Sequence, residues 1–180
     1  MRMYFVRHGK TAYNGTGRVS GHTDIPLIAE GIAQAEQVAQ EIPDDVSAIY
    51  SSDLIRCKQT AEILNKKLGL PITYDERLRE RSFGSFDGQV WSDIDPDGTL
   101  YKKDHSQKYD YRPQGGESVE DVKTRVLACI RHIRDQEREG PVLVVTSAGV
   151  IRLLHHILHN EIHEIVHNSS LHEFDFTDFK

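Results

Sequence analysis

Arg7, His8 and Gly9 close the first apolar run of the chain, Met3 to Val6. A histidine at the end of an opening strand, between a fixed cation and a flexible residue, has the chemistry of a nucleophile toward phosphorus. Neutral imidazole attacks phosphorus well, and a neighbouring guanidinium can hold phosphate oxygens bidentately while its charge discourages protonation of the ring. Taken alone, the tripeptide is more often an ordinary loop. A second set of chemically able residues lies near the end of the chain, where His155, His159, His163 and His167 recur at intervals of four. On one unbroken helix they would form a metal-binding stripe. Asn160 and Glu161 interrupt the apolar pattern, so the reading is four solvated histidines that do not share a helix, and no metal site.

Composition narrows what surrounds these residues. The chain has 180 residues, 38% of them hydrophobic, enough for one well-buried core and too few to demand two, so a single domain over 1–180 is expected. The formal net charge is −6 at pH 7 with no basic block, which argues against nucleic acid as a partner and requires any phosphate site to be local. The first 30 residues hold no signal-like apolar stretch, and no run approaches the about 18 apolar residues of a membrane span, so a cytoplasmic protein with no membrane partner is expected. Cys57 and Cys129 stand far apart, outside CxxC spacing, and read as buried thiols.

The elements that must position the chemistry are read from periodicity. Short β-type runs at Met3 to Val6, Ser47 to Ser51, Pro71 to Tyr74, Val142 to Thr146 and Leu171 to Phe176 alternate with helical patterns. Ile32, Ala35, Ala39 and Ile42 mark one amphipathic helix; Leu54, Cys57, Ala61, Leu64 and Leu68 a second; Val119, Val122, Val126, Ile130 and Ile133 a third; a fourth follows Gly149. Ser52 or Asp53 is expected to cap the second and Gly69 to end it, and Ser118 with Asp121 resembles a capping box opening the third. This alternation predicts a three-layer α/β/α sandwich around a mostly parallel central sheet, the last strand being the weakest because His172 and Glu173 break its apolar character. Such sheets bind ligands at the carboxyl ends of their strands, where His8, Ser51 to Arg56 and Ser147 would converge. Gln89 to Pro113 has no clear period and reads as a lid or specificity loop.

Five separated segments, RHGKTAYN from Arg7, SGHTDIPL from Ser20, SSDLIRCKQTA from Ser51, LRERSFGSFDG from Leu78 and GGES from Gly115, together resemble the histidine phosphatase superfamily, which contains phosphoglycerate mutases and many phosphomonoesterases. The resemblance covers nearly the whole chain in order. It implies that His8 becomes phosphorylated, that Arg7 and Arg56 grip the phosphoryl group, that Asn14 donates in the same pocket, and that Glu80 is the general acid, for which a raised pKa is expected. Without the motif around it, Glu80 would read as a surface partner of Arg79 or Arg81. Ser20, Gly21 and Arg81 correspond to substrate-contacting positions, whereas Glu117 and Arg125 read as structural.

One position departs from the pattern. The family carries a second pocket histidine after the fourth strand, and this chain has Ser147 there, within VVTSAGVIR. A serine hydroxyl can still donate to a phosphoryl oxygen, without charge and with shorter reach, so the machinery is expected to be weakened by about a hundredfold to a thousandfold rather than lost. The function expected is therefore a phosphomonoester hydrolase working through a phosphohistidine on a small phosphorylated metabolite, without metal or other cofactor. The alternatives are a phosphoglycerate mutase, against which the short Gln89 to Pro113 segment argues, and a low-turnover phospho-ligand binder supported by Ser147 alone. Lys102, Lys103, Lys108 and Arg112 could reach a second anionic group but read more simply as solvated, and the sequence is silent on oligomeric state.

Overall fold

The computed structural model describes the chain except for residues 138–139, 163–164, 178 and 180. Five strands form one sheet: β1 (Arg2–Arg7), β2 (Ala48–Ser51), β3 (Ile72–Tyr74), β4 (Val142–Thr146) and β5 (Leu171–Asp175), in the order β3-β2-β4-β1-β5. β4 pairs in parallel with both β1 and β2, β2 in parallel with β3, and only β5 runs antiparallel at the edge of β1. His172 and Glu173 fit that edge: an antiparallel edge strand needs one apolar face, and Phe174 supplies it while its neighbours stay half-buried or exposed.

Along the strands the two-residue period sorts side chains onto opposite faces. Met3, Phe5, Val142 and Val144 join one core with Val122, Val126, Ile130 and Ile133 of α6 (Val119–Gln136) and Val150, Ile151 and Leu154 of α7 (Ala148–His159). Tyr4, Val6, Leu143 and Val145 join the other, beneath Val38 of α2 (Ala29–Val38) and Cys57, Ala61 and Leu64 of α3 (Ile55–Leu68). The architecture is the three-layer sandwich. Both cysteines are buried free thiols.

Local signals are met in some places and overridden in others. Ser118 and Asp121 form the capping box of α6, and Gly69 ends α3 in the left-handed region at φ +67. The N-cap of α3 is Leu54 rather than Ser52 or Asp53; Ser52 Oγ instead accepts a hydrogen bond from the Leu54 amide at 3.3 Å. Asp53 is engaged by Arg79, which removes it from capping. α2 stops at Val38, four residues before Ile42, which is buried from the following turn, while Ile32 is 40% exposed because the helix turns Gly31, Ala35 and Val38 inward.

The unpatterned stretch is ordered. Besides the short α1 (Ala12–Gly15), the chain folds α4 (Trp91–Ile94) and α5 (Thr99–His105) within residues 89–113. Helices of four and seven residues are too short to print a period. The Asp95 carboxylate holds the start of α5 by accepting from the amides of Leu100 at 2.9 Å and Tyr101 at 2.7 Å. Among the described residues, no helix is long and apolar enough to cross a membrane.

Candidate active site

The carboxyl ends of β1 and β4 and the amino ends of α3 and α7 surround a cleft of about 260 Å³. Its lining includes Arg7, His8, Asn14, Ser20, Gly21, Arg56, Glu80 and Arg81, so eight of the nine residues singled out from sequence meet in one place. His8 follows β1, its amide bonded to the Thr146 carbonyl at 3.0 Å in continuation of the parallel ladder. Gly9 is required by close approach: a Cβ there would lie 2.3 Å from the Gly31 carbonyl oxygen. The His8 ring is 3% exposed, and its Nδ1 stands 2.8 Å from the Gly9 carbonyl oxygen. A carbonyl only accepts, so the proton sits on Nδ1 and Nε2 keeps the lone pair. Burial, followed by the charges of Arg56 and Arg7, holds the imidazole pKa well below 6.5, so the ring is neutral at physiological pH.

The arginines are pinned by the backbone. Arg56, fully buried near the start of α3, donates Nη1 to the Thr23 carbonyl at 2.8 Å and Nη2 to that of Gly21 at 2.7 Å. Arg7 donates Nη1 to the Val166 carbonyl. Their Nε atoms are buried with no hydrogen-bond partner among the described residues. Asn14 Oδ1 accepts from the Thr11 amide at 3.0 Å, the Thr11 hydroxyl at 3.1 Å and Asn168 Nδ2 at 3.3 Å, a pattern that assigns its own NH₂ group as the donor left for the cleft.

Glu80 is buried and ionised. Oε1 accepts from the Arg81 amide at 2.9 Å and from Arg81 Nη1 at 3.2 Å, and Oε2 from the Gly149 amide in the first turn of α7 at 3.0 Å. Burial pushes its pKa up, but the charges of Arg81 and Arg152 and the two amides outweigh it and bring the value down to about 2. The raised pKa expected from sequence is thus reversed, because two guanidiniums and a helix N-terminus converge on this carboxylate. Gly149 makes the convergence possible, since a Cβ there would lie 1.7 Å from Arg81 Nη1 and 2.1 Å from Glu80 Oε1.

Arg81 is 2% exposed, ion-paired with Asp104 and Glu80, and sandwiched between the rings of Phe83 and Tyr109, each 4.9 Å away. Those contacts hold it as a positioning residue for Glu80. Arg125 forks onto Glu117 at 2.7 and 2.9 Å and donates to the carbonyls of Arg77, Arg79 and Glu80, fixing the segment that carries Glu80. Ser147 is the residue that stands apart. As the extended N-cap of α7 (φ −117, ψ 166) it is fully buried, and its Oγ neighbours the Cys57 thiol with no hydrogen bond of ordinary geometry among the described residues. Of the nine residues singled out from sequence it is the one that does not line the cleft.

Several lining residues escaped the sequence reading: Arg152 on α7, Asp104, His105 and Tyr101 on α5, Trp91 on α4, and Arg18. Arg152 lies in the VVTSAGVIR segment itself, one turn beyond the helix start, and that register was its only signal. Asp104 had none, since a seven-residue helix gives no face to read. Lys102, Lys103, Lys108 and Arg112 do not line the cleft; Lys103 and Lys108 border a separate cavity of about 100 Å³, and Arg112 pairs with Asp110. In all, five arginines face two carboxylates, Glu80 and Asp104, so the cleft is cationic in a chain of net charge −6.

Fold and cleft together define the class: the chain belongs to the histidine phosphatase superfamily (branch 1), whose family model matches residues 3–180. Among particular relatives, it is 38% identical over 157 residues to phosphoglycerate mutase-like protein 4 of Arabidopsis thaliana, covering 83% of this chain and 67% of that protein. It is 36% identical over 132 residues to the probable phosphoglycerate mutase GpmB of Salmonella choleraesuis, covering 72% of this chain and 61% of that protein. The chain thus spans roughly two thirds of the length of these curated relatives. In structure it resembles a mycobacterial glucosyl-3-phosphoglycerate phosphatase in complex with VO3 (TM-score 0.85, 30% identity, 96% of this chain and 91% of that one). It also resembles a phosphoglycerate mutase from Thermus thermophilus (TM-score 0.81, 31% identity, 98% and 94%).

Proposed function

We propose that this protein is a phosphomonoester hydrolase acting on a small phosphorylated metabolite through a phosphohistidine at His8, with no metal in the chemical step. The observation that carries the proposal is the buried His8 ring, neutral and with its Nδ1 proton committed to the Gly9 carbonyl, set among the cleft arginines. Nε2 attacks phosphorus, the P–N bond forms and the P–O bond to the alcohol breaks, while Glu80 gives the departing oxygen its proton. Water then attacks phosphorus, Glu80 takes a proton from it, the P–N bond breaks, and His8 returns to its starting tautomer. Arg7, Arg56 and the Asn14 amide stabilise the charge on the equatorial oxygens.

Because its neighbours hold Glu80 ionised, it must acquire its proton on substrate binding. A bound phosphoryl group draws the guanidinium charge to itself, which lifts the Glu80 pKa, and a phosphate monoanion supplies the proton. Steady phosphate release from an aryl phosphate in EDTA, abolished by His8→Ala, is the expected result. Conversion between 2- and 3-phosphoglycerate without net hydrolysis would overturn the reading in favour of a mutase, the activity named for several relatives. Phosphate binding without turnover would overturn it in favour of a binding protein.

A further inference from the structure

At the far end of α7 from the cleft, the helix finishes at His159, and Asn160 adopts the left-handed conformation (φ 54, ψ 34) as its C-cap. That turn swings Glu161 back over the last helical turn. Its Oε2 lies 3.7 Å from His155 Nδ1 and 4.0 Å from His159 Nδ1, and one donor atom from each of the three residues lies within 4.8 Å of the others. His155 is buried, packed edge-on against Phe174 of β5 at 4.7 Å, whereas His159 and Glu161 are exposed.

His155 Nε2 lies 2.9 Å from His172 Nδ1, and His172 Nε2 lies 2.8 Å from the Ser170 hydroxyl, which donates to the His167 carbonyl at 2.7 Å. This chain holds the His155 ring with its Nδ1 edge toward Glu161. Two imidazole nitrogens and a carboxylate oxygen converging in this way are a donor set of the kind that binds a transition ion.

We propose that His155, His159 and Glu161 form a binding site for a divalent transition ion of the zinc class. Zinc sits about 2.1 Å from nitrogen and carboxylate oxygen, so donors in its tetrahedral arrangement stand about 3.4 Å apart. The two separations to Glu161, 3.7 and 4.0 Å, lie within about 0.6 Å of this. The remaining adjustment falls on the exposed His159 and Glu161 side chains, with water completing the coordination. The His155–His172–Ser170 chain has the form of the supporting shell that orients a ligating histidine and raises its basicity. The site lies outside the cleft, and its ligands take no part in the phosphoryl chemistry. Further along the sequence, the Val166 carbonyl accepts from Arg7 and Asn168 donates to the His8 carbonyl at 3.0 Å.

The test is calorimetric titration of the EDTA-stripped and dialysed full chain with Zn²⁺, repeated with Co²⁺ to read the coordination spectroscopically. One ion per chain is expected, with a rise in Tm on binding. His159→Ala and Glu161→Gln, both at exposed positions, should each weaken that binding at least about tenfold while leaving the circular dichroism spectrum unchanged. Absence of stoichiometric binding in the wild type would overturn the proposal, as would binding of equal strength in both variants, which would place the ion elsewhere.

Discussion

His8 and Glu80 are each held in a protonation state that the rest of the site dictates, and both states have measurable consequences. Unfolded His8 takes up a proton below about pH 6.5, whereas the folded ring, with its pKa held lower by burial, Arg56 and Arg7, does not. The unfolded state then binds more protons, so this group makes stability fall as the pH drops below that value. Denaturant titrations between pH 7 and 5 should show a shallower pH dependence for His8→Gln than for the wild type; identical slopes would contradict the assignment. Glu80 works in the same sense, over a more acidic range. With its folded pKa depressed from 4.5 to about 2, its charge contributes stability that is present above 4.5 and lost as pH falls toward 2. Glu80→Gln should therefore lower Tm at pH 7, with a deficit that shrinks at pH 3, and should lower kcat by about 10² to 10⁴-fold.

Among the elements, α7 has the most to position. Its first turn donates the Gly149 amide to Glu80, its second carries Arg152 into the cleft, and its last presents His155 and His159 on the opposite side. Gly149→Ala would place a methyl group into Glu80 and Arg81, so we expect kcat to fall with the fold retained, and near-wild-type kcat would refute the close approach. The sequence signal for α7 was its apolar periodicity, and for α6 its capping box, both local properties that survive tertiary packing. α4 and α5 left no such signal. They exist because Phe83, Trp91, Tyr109 and Tyr111 stack into one aromatic cluster and because Asp104 pairs with Arg81, contacts made across distant parts of the chain.

For the whole molecule, the contrast between an acidic chain and a cationic cleft determines what can bind. Phosphate or vanadate that engages only the folded cleft should raise Tm, by about 2.7 kcal/mol of added stability when the ligand is at a hundred times its Kd. Arg152→Met should reduce that shift, because it removes one of the five arginines lining the cleft. An unchanged shift would show that Arg152 acts through contacts within the protein, among them those with Asp104 and His105.

By itself the sequence determined the layers, the parallel sheet and the membership of most of the cleft, because strand period, helix period and motif order are properties of short segments. Tertiary structure alone decided the protonation of Glu80, the burial of Ser147 beside Cys57, the entry of Arg152 and Asp104 into the cleft, and the meeting of His155 with Glu161 across a left-handed Asn160. Electrostatic balance and side-chain direction depend on distances between remote residues, and those distances are set only when the layers pack.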